Sequence, residues 1–156
     1  MSRALPSIEE VLPHRASMLL VERVLSWDAA HAAVEAQPAA GAWYAEPAGM
    51  PSWIGIELIA QAIAAHVSIV AWSKGEAPKK GVLLGARGFR ATQAHFPVGA
   101  RLAVKAVRTF SDASGMGSYD GTIELAGSEV AVARIMVFEP PDFDAFIAAQ
   151  KASRAS

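Results

Sequence analysis

The sequence predicts an α+β domain, an antiparallel sheet wrapped around one long central helix. Three observations predict it. The stretch from Ser52 to Ser73 is apolar on nearly every side, four strand-like runs follow it, and 156 residues give room for one core. The expected organisation is a single domain over 1–156, with its core at about 7–139 and a short C-terminal helix at 142–150.

Each element has its own signal. Ser7-Ile8-Glu9-Glu10 places a capping serine three residues before a glutamate, and Pro13 ends the short helix this begins. Met18 to Trp27 is rich in Leu and Val. It reads as a hairpin with Ala32 to Ala36 across a turn at Asp28-Ala29-Ala30. Pro38 to Pro51 is a loop. Pro51 and Ser52 supply start signals for the long helix, and Lys74-Gly75 supplies a stop. Strands are expected at about Val82–Thr92, Arg101–Phe110, Ser118–Leu125 and Glu129–Phe138, separated by turns at Pro97–Gly99, Ser111–Gly115 and Ala126–Gly127. Pro140-Pro141 closes the sheet, and Asp142 caps the last helix.

Composition narrows the chemistry. Fourteen basic residues against fifteen acidic ones give a formal charge of −1, with no basic stripe for nucleic acid. The absence of cysteine removes disulfides, thiolate metal sites and cysteine nucleophiles. Four histidines, His14, His31, His66 and His95, lack metal-ligand spacing, so neither metal nor cofactor is expected. The segment Met1 to Pro6 has no apolar signal-peptide core, and Glu57, Gln61 and His66 interrupt the longest apolar run. No membrane span is expected, and the expected setting is the cytoplasm.

Within the long helix, Glu57 and Gln61 are four residues apart and share a face. A helix apolar all round is expected to be enclosed, and a carboxylate enclosed with it is costly unless partnered. That cost has two readings, a structural carboxylate or a working acid/base. The helix start, with unpaired N–H groups at Ser52 and Trp53 about one turn from Glu57, is a place to polarise a carbonyl. His66 lies nine positions on, half a turn away, and reads as a core or interface histidine. Gly115-Met116-Gly117-Ser118-Tyr119-Asp120-Gly121 is glycine-rich, but strand follows it, so it reads as a hairpin turn.

Three motifs in order carry a family resemblance. Leu12-Pro13-His14-Arg15-Ala16-Ser17-Met18-Leu19-Leu20-Val21-Glu22-Arg23-Val24 resembles the opening of hotdog-fold 3-hydroxyacyl-[acyl-carrier-protein] dehydratases of the FabZ type. Met50-Pro51-Ser52-Trp53-Ile54-Gly55-Ile56-Glu57-Leu58-Ile59-Ala60-Gln61 resembles their proline-led central helix. Pro97-Val98-Gly99-Ala100-Arg101-Leu102 resembles a strand start of theirs. The resemblance implies a hotdog dimer whose sites lie between subunits. It also implies a 3-hydroxyacyl substrate on the phosphopantetheine of acyl carrier protein, and dehydration by a histidine with the helix carboxylate.

Glu57 matches that carboxylate. The histidine has no match: Trp43 stands in its place, and Ser52 stands where the family has glycine. His95-Phe96-Pro97-Val98-Gly99 looks like the lost histidine motif but follows Glu57, and is assigned to a turn. These departures, with Gly81-Val82-Leu83-Leu84-Gly85-Ala86-Arg87, resemble the ApeP-like subgroup. On that resemblance the expected catalytic residues are Glu57 and His14, with Tyr44 and Glu46 as weaker stand-ins for the missing histidine. Ser52, Trp53, Gln61 and Gly85 are expected to contact substrate, Gly85 either by close backbone approach or merely as a bulge. The expected activity is a 3-hydroxyacyl-ACP dehydratase of fatty-acid or polyene-type synthesis. The alternatives are a hotdog acyl-thioesterase and a non-catalytic acyl-binding subunit. Expected partners are acyl carrier protein and a second subunit, identical or another hotdog chain.

Overall fold

The computed structural model describes residues 4–77 and 81–155. Its first helix, α1 (Ile8–Val11), is closed at its start by the Glu10 carboxylate, which accepts from the Ser7 amide at 2.7 Å. Strands β1 (Arg23–Trp27) and β2 (His31–Ala36) form the expected hairpin. The carboxylate of Asp28 holds its turn by accepting from the amides of Ala30 (2.7 Å) and His31 (2.8 Å). The hairpin starts later than the sequence suggests. Ala16–Met18 is a single 3₁₀ turn, and residues 19–22 lead from it to β1.

Two short strands escaped the sequence reading. Strand β3 (Met50–Pro51) pairs antiparallel with β5 (His95–Phe96), since two residues leave no alternation to detect. Gly49 makes that pairing possible. Its φ is 122°, and a Cβ there would sit 2.2 Å from the Phe96 carbonyl oxygen. A 3₁₀ turn at Ser52–Ile54 then leads into α2 (Gly55–Ser73).

The remaining strands are β4 (Val82–Ala91), β6 (Leu102–Ser111), β7 (Met116–Leu125) and β8 (Ser128–Phe138), and helix α3 (Phe143–Ala155) follows. They complete a six-stranded antiparallel sheet in the order β1-β2-β6-β7-β8-β4. The glycine-rich segment is mostly strand rather than the turn expected of it: only Gly115 lies in the β6–β7 turn, and Met116–Gly121 already belong to β7. Asp142 caps α3 by accepting from the Ala145 amide at 2.9 Å, and α3 runs past Gln150 to Ala155.

The sheet curls over one side of α2. Leu58, Ile59, Ile63 and Ile69 are buried there against Val34, Val104, Ile123 and Ile135. Each such side chain contributes about 1.5–3 kcal/mol on leaving water. Gly121 sets the spacing between layers, because a Cβ there would lie 2.2 Å from a methyl of Ile59. Ser52–Ser73 has the length and hydropathy of a membrane span, yet 67% of its apolar window is buried in this core.

One expectation fails. The helix is not enclosed on every side: Ile56, Ala60, Ala64, Val67 and Val70 are only half-buried, and Trp53 is 63% exposed. The described residues cover that face only in part.

Candidate active site

The partly covered face of α2 forms the floor of an open groove of about 1010 Å³. Glu57 and His14 lie at one end. Ala60, Ala64 and Val67 follow along the helix, and Lys74 stands at its far end. Glu57 reaches this position because it falls in the first turn of α2 on the face away from the sheet. Its side chain is 42% exposed, so the buried carboxylate expected from the sequence is instead a carboxylate at a groove mouth. The desolvation cost assigned to it therefore does not apply. Apolar count alone cannot tell which face of a helix lacks cover.

His14 is brought to Glu57, as expected. Its Nε2 stands 3.8 Å from Glu57 Oε1, and its side chain is 28% exposed. That separation exceeds a hydrogen bond, so the two groups face each other without closing on one another. The Nδ1 of His14 is buried with no partner among the described residues.

Gln61 is corrected from a substrate contact to a support. It is fully buried, and all of its bonds are internal. Its Oε1 accepts from the Leu20 amide (3.0 Å), and its Nε2 donates to the Met18 carbonyl (2.8 Å) and to Glu57 Oε1 (3.0 Å). Backbone partners on both sides fix which way the amide points. Glu57 Oε1 is thereby held as an acceptor, and Oε2 is left to meet a ligand.

Ser52, Trp53, Gln61 and Gly85 do not line the groove. The Ser52 amide is already spent on the Ala94 carbonyl at 2.9 Å, so only Trp53 of the expected pair remains as a helix-start donor. Gly85 sits at a register shift of β4, and a Cβ there would meet nothing within 4 Å; it is a bulge position.

The residues standing in for the family histidine face elsewhere. Trp43 Nε1 donates to the Ser17 carbonyl at 3.0 Å, Tyr44 Oη accepts from the Ala39 amide at 3.0 Å, and Glu46 pairs with His95 at 2.6 Å. None of them lines the groove. His95, expected in a turn, lies in strand β5, from which it holds the loop residue Glu46.

His66 is the core histidine that its spacing predicts. Its Nε2 meets the Asp28 carbonyl at 3.1 Å, which can only accept, so Nε2 carries the proton. Nδ1 then accepts from the Tyr119 hydroxyl at 2.8 Å. Burial pushes the His66 pKa down and raises that of Tyr119 to about 12. Sequence reasoning missed Glu35, which is buried between Arg23 (3.1 Å) and Arg101 (3.0 Å). The Arg23 hydrogen bond is the main reason its pKa is lowered, and the group ties β1, β2 and the start of β6 together.

Strand β4 matters for what lies beyond this chain. Among the described strands it is hydrogen-bonded only to β8, and it leaves an edge that exposes Leu83 and Leu84.

Comparison with known proteins fits this geometry. The model of the ApeP dehydratase family, ApeP-like, matches residues 6–148. A chain of the ApeI:P dehydratase heterocomplex from Xenorhabdus doucetiae is similar at 26% identity and a TM-score of 0.84, over 94% of this chain and 98% of that one. Two further structures share the fold. The Escherichia coli PaaI protein of the phenylacetic acid degradation operon is 19% identical with a TM-score of 0.58, covering 74% of this chain and 81% of its own. A hypothetical thioesterase from Streptococcus pneumoniae, solved with coenzyme A, is 17% identical with a TM-score of 0.58, covering 75% and 84%. No curated protein matches the sequence. A family match running through nearly the whole chain, on a hotdog fold with its helix glutamate at a groove mouth, places this protein in the ApeP-like dehydratase family.

Proposed function

We propose that the protein dehydrates 3-hydroxyacyl thioesters delivered by acyl carrier protein, in the cytoplasm, alongside a second hotdog subunit. The observation that carries this reading is the unclosed pair, His14 Nε2 and Glu57 Oε1 3.8 Å apart at the head of an apolar-floored groove. β-Elimination needs a base at the α-carbon and an acid at the β-hydroxyl. His14 takes the α-proton, and that C–H electron pair becomes the new double bond. The C–O bond breaks as Glu57, protonated at Oε2, hands its proton to the departing hydroxyl, which leaves as water. The proton on His14 then returns to Glu57 across the vacated gap.

The second subunit is supported by the free edge of β4 with its exposed leucines, and by the two-protein nature of the ApeI:P complex. Strand addition at this edge would extend the sheet and close the groove.

The test is to incubate the protein with 3-hydroxyacyl-ACP and with saturated acyl-ACP, alone and with a partner hotdog subunit, and to weigh the products. Enoyl-ACP lighter by one water is expected, with Glu57→Gln slowing its formation about 10²–10⁴-fold. Free acid from either substrate would point to thioester hydrolysis. Retention of unchanged substrate in every mixture would point to a binding subunit.

A further inference from the structure

The segment that carries His14 is pinned in an unusual way. Arg15 is exposed, yet its guanidinium turns back on its own chain. Nη1 donates to the carbonyls of Leu12 and His14 (2.7 Å to the latter), and Nη2 donates to that of Glu9 at 2.8 Å. The Glu9 and Leu12 carbonyls belong to the last turn of α1 and its cap, which Pro13 prevents from continuing. A single planar fork thus joins the end of a helix to the peptide on the far side of His14. An ammonium presents its donors from one point and could not span three carbonyls in the same plane.

Downstream, the chain enters a left-handed conformation at Ala16, with φ of 53°, the first residue of the 3₁₀ turn. Such a residue persists where its surroundings hold it. The holding groups are visible. Besides Arg15 on one side, Trp43 binds the Ser17 carbonyl, and Gln61 binds Met18 and Leu20 on the other. The His14 ring itself has no such hydrogen bond among the described residues, because its Nδ1 is unpartnered there and its Nε2 stops 3.8 Å from Glu57. With no hydrogen bond to steer the ring, the backbone that carries it and the packing around the buried Nδ1 set where the imidazole points.

We propose that Arg15 is a positioning residue: its three backbone hydrogen bonds aim the His14 imidazole across the groove at Glu57. This rests on the acid/base reading above and adds a residue to it. Arg15 touches no reacting atom, so its effect reaches the chemistry only through His14.

The test compares Arg15→Lys and Arg15→Ala with the parent in two measurements. The first is turnover of 3-hydroxyacyl-ACP per folded molecule. The second is the NMR signal of the His14 ring nitrogens, assigned by its loss in His14→Asn. Arg15→Lys keeps the charge and loses the fork. A turnover drop of about 10–100-fold, with KM within about twofold, is expected from misplacing the base. The His14 ring signals should shift or broaden in both variants while those of His66 stay in place. Unchanged turnover and an unchanged His14 signal in Arg15→Lys would overturn the proposal. So would a loss that vanishes once activity is corrected for folded fraction. If the parent shows no dehydration, the functional reading fails on its own, and the His14 signal still decides whether Arg15 sets that ring.

Discussion

Two histidines pack along the same helix, and they differ in what their nitrogens meet. His66, on the sheet side of α2, has both nitrogens engaged, one by the Asp28 carbonyl and one by the Tyr119 hydroxyl. His14, on the open side, has one nitrogen without a partner among the described residues and one held short of a carboxylate. A buried polar group with every bond made stabilises a fold and has no proton to trade. A group with bonds unmade is less stable and more available. The contrast separates structure from chemistry more sharply than residue type or sequence neighbours do.

The comparison breaks first if His66 proves dispensable. His66→Ala leaves the Tyr119 hydroxyl and the Asp28 carbonyl unpaired beside a new cavity, and should cost about 2–4 kcal/mol of unfolding free energy. Denaturant unfolding measures it. Turnover per folded molecule should stay within about threefold of the parent, against the far larger loss expected for Glu57→Gln.

A second effect concerns the carboxylate's support. Gln61→Met fills the volume but leaves the Leu20 amide and Met18 carbonyl without their side-chain partner, for a loss of about 1–3 kcal/mol. Freed from Gln61, Glu57 should also lose part of its kcat while KM moves little, which steady-state kinetics reads directly.

The smallest expected effect is on the pH dependence of stability. The His66 pKa is depressed in the folded state, so below the ordinary value of 6.5 the unfolded chain binds the extra proton first. The contribution is therefore intact above about pH 6.5 and is lost as pH falls below it. Tyr119 works at the other end: its pKa is raised from 10.0 to about 12, so the unfolded chain ionises first and stability falls as pH rises through that window. Unfolding midpoints across pH should show the acid decline in the parent and a weaker one in His66→Ala.

Much of the fold could be read from the sequence, because long runs carry strong signals. Helix α2 and strands β6 to β8 fall close to where apolar patterning puts them. The β3–β5 pair did not show, since two-residue strands hold no periodicity and Gly49 gives only a turn signal. At the site, Glu57 was found from its place in the helix, and His14 from the motif that contains it. The sequence does not reveal the exposure of Glu57, because Val67 and Val70 look like core residues, whereas in this chain they border the groove. Gln61 and Ser52 were given to substrate because sequence cannot show that backbone groups from 18–20 and from Ala94 reach them first. Arg15 had a readable signal in a cation placed just beyond a helix end.

The central claim is that the histidine with unmade bonds does the chemistry and the satisfied one does not. Substituting asparagine at His14 and, separately, at His66, then following enoyl-ACP formation by mass with unfolding recorded on the same samples, tests it most directly. His14→Asn is expected to lose at least about 10²-fold in turnover with an unfolding midpoint near the parent's, while His66→Asn keeps its turnover per folded molecule and unfolds earlier. Full dehydration by His14→Asn, or its loss only in His66→Asn, would contradict it.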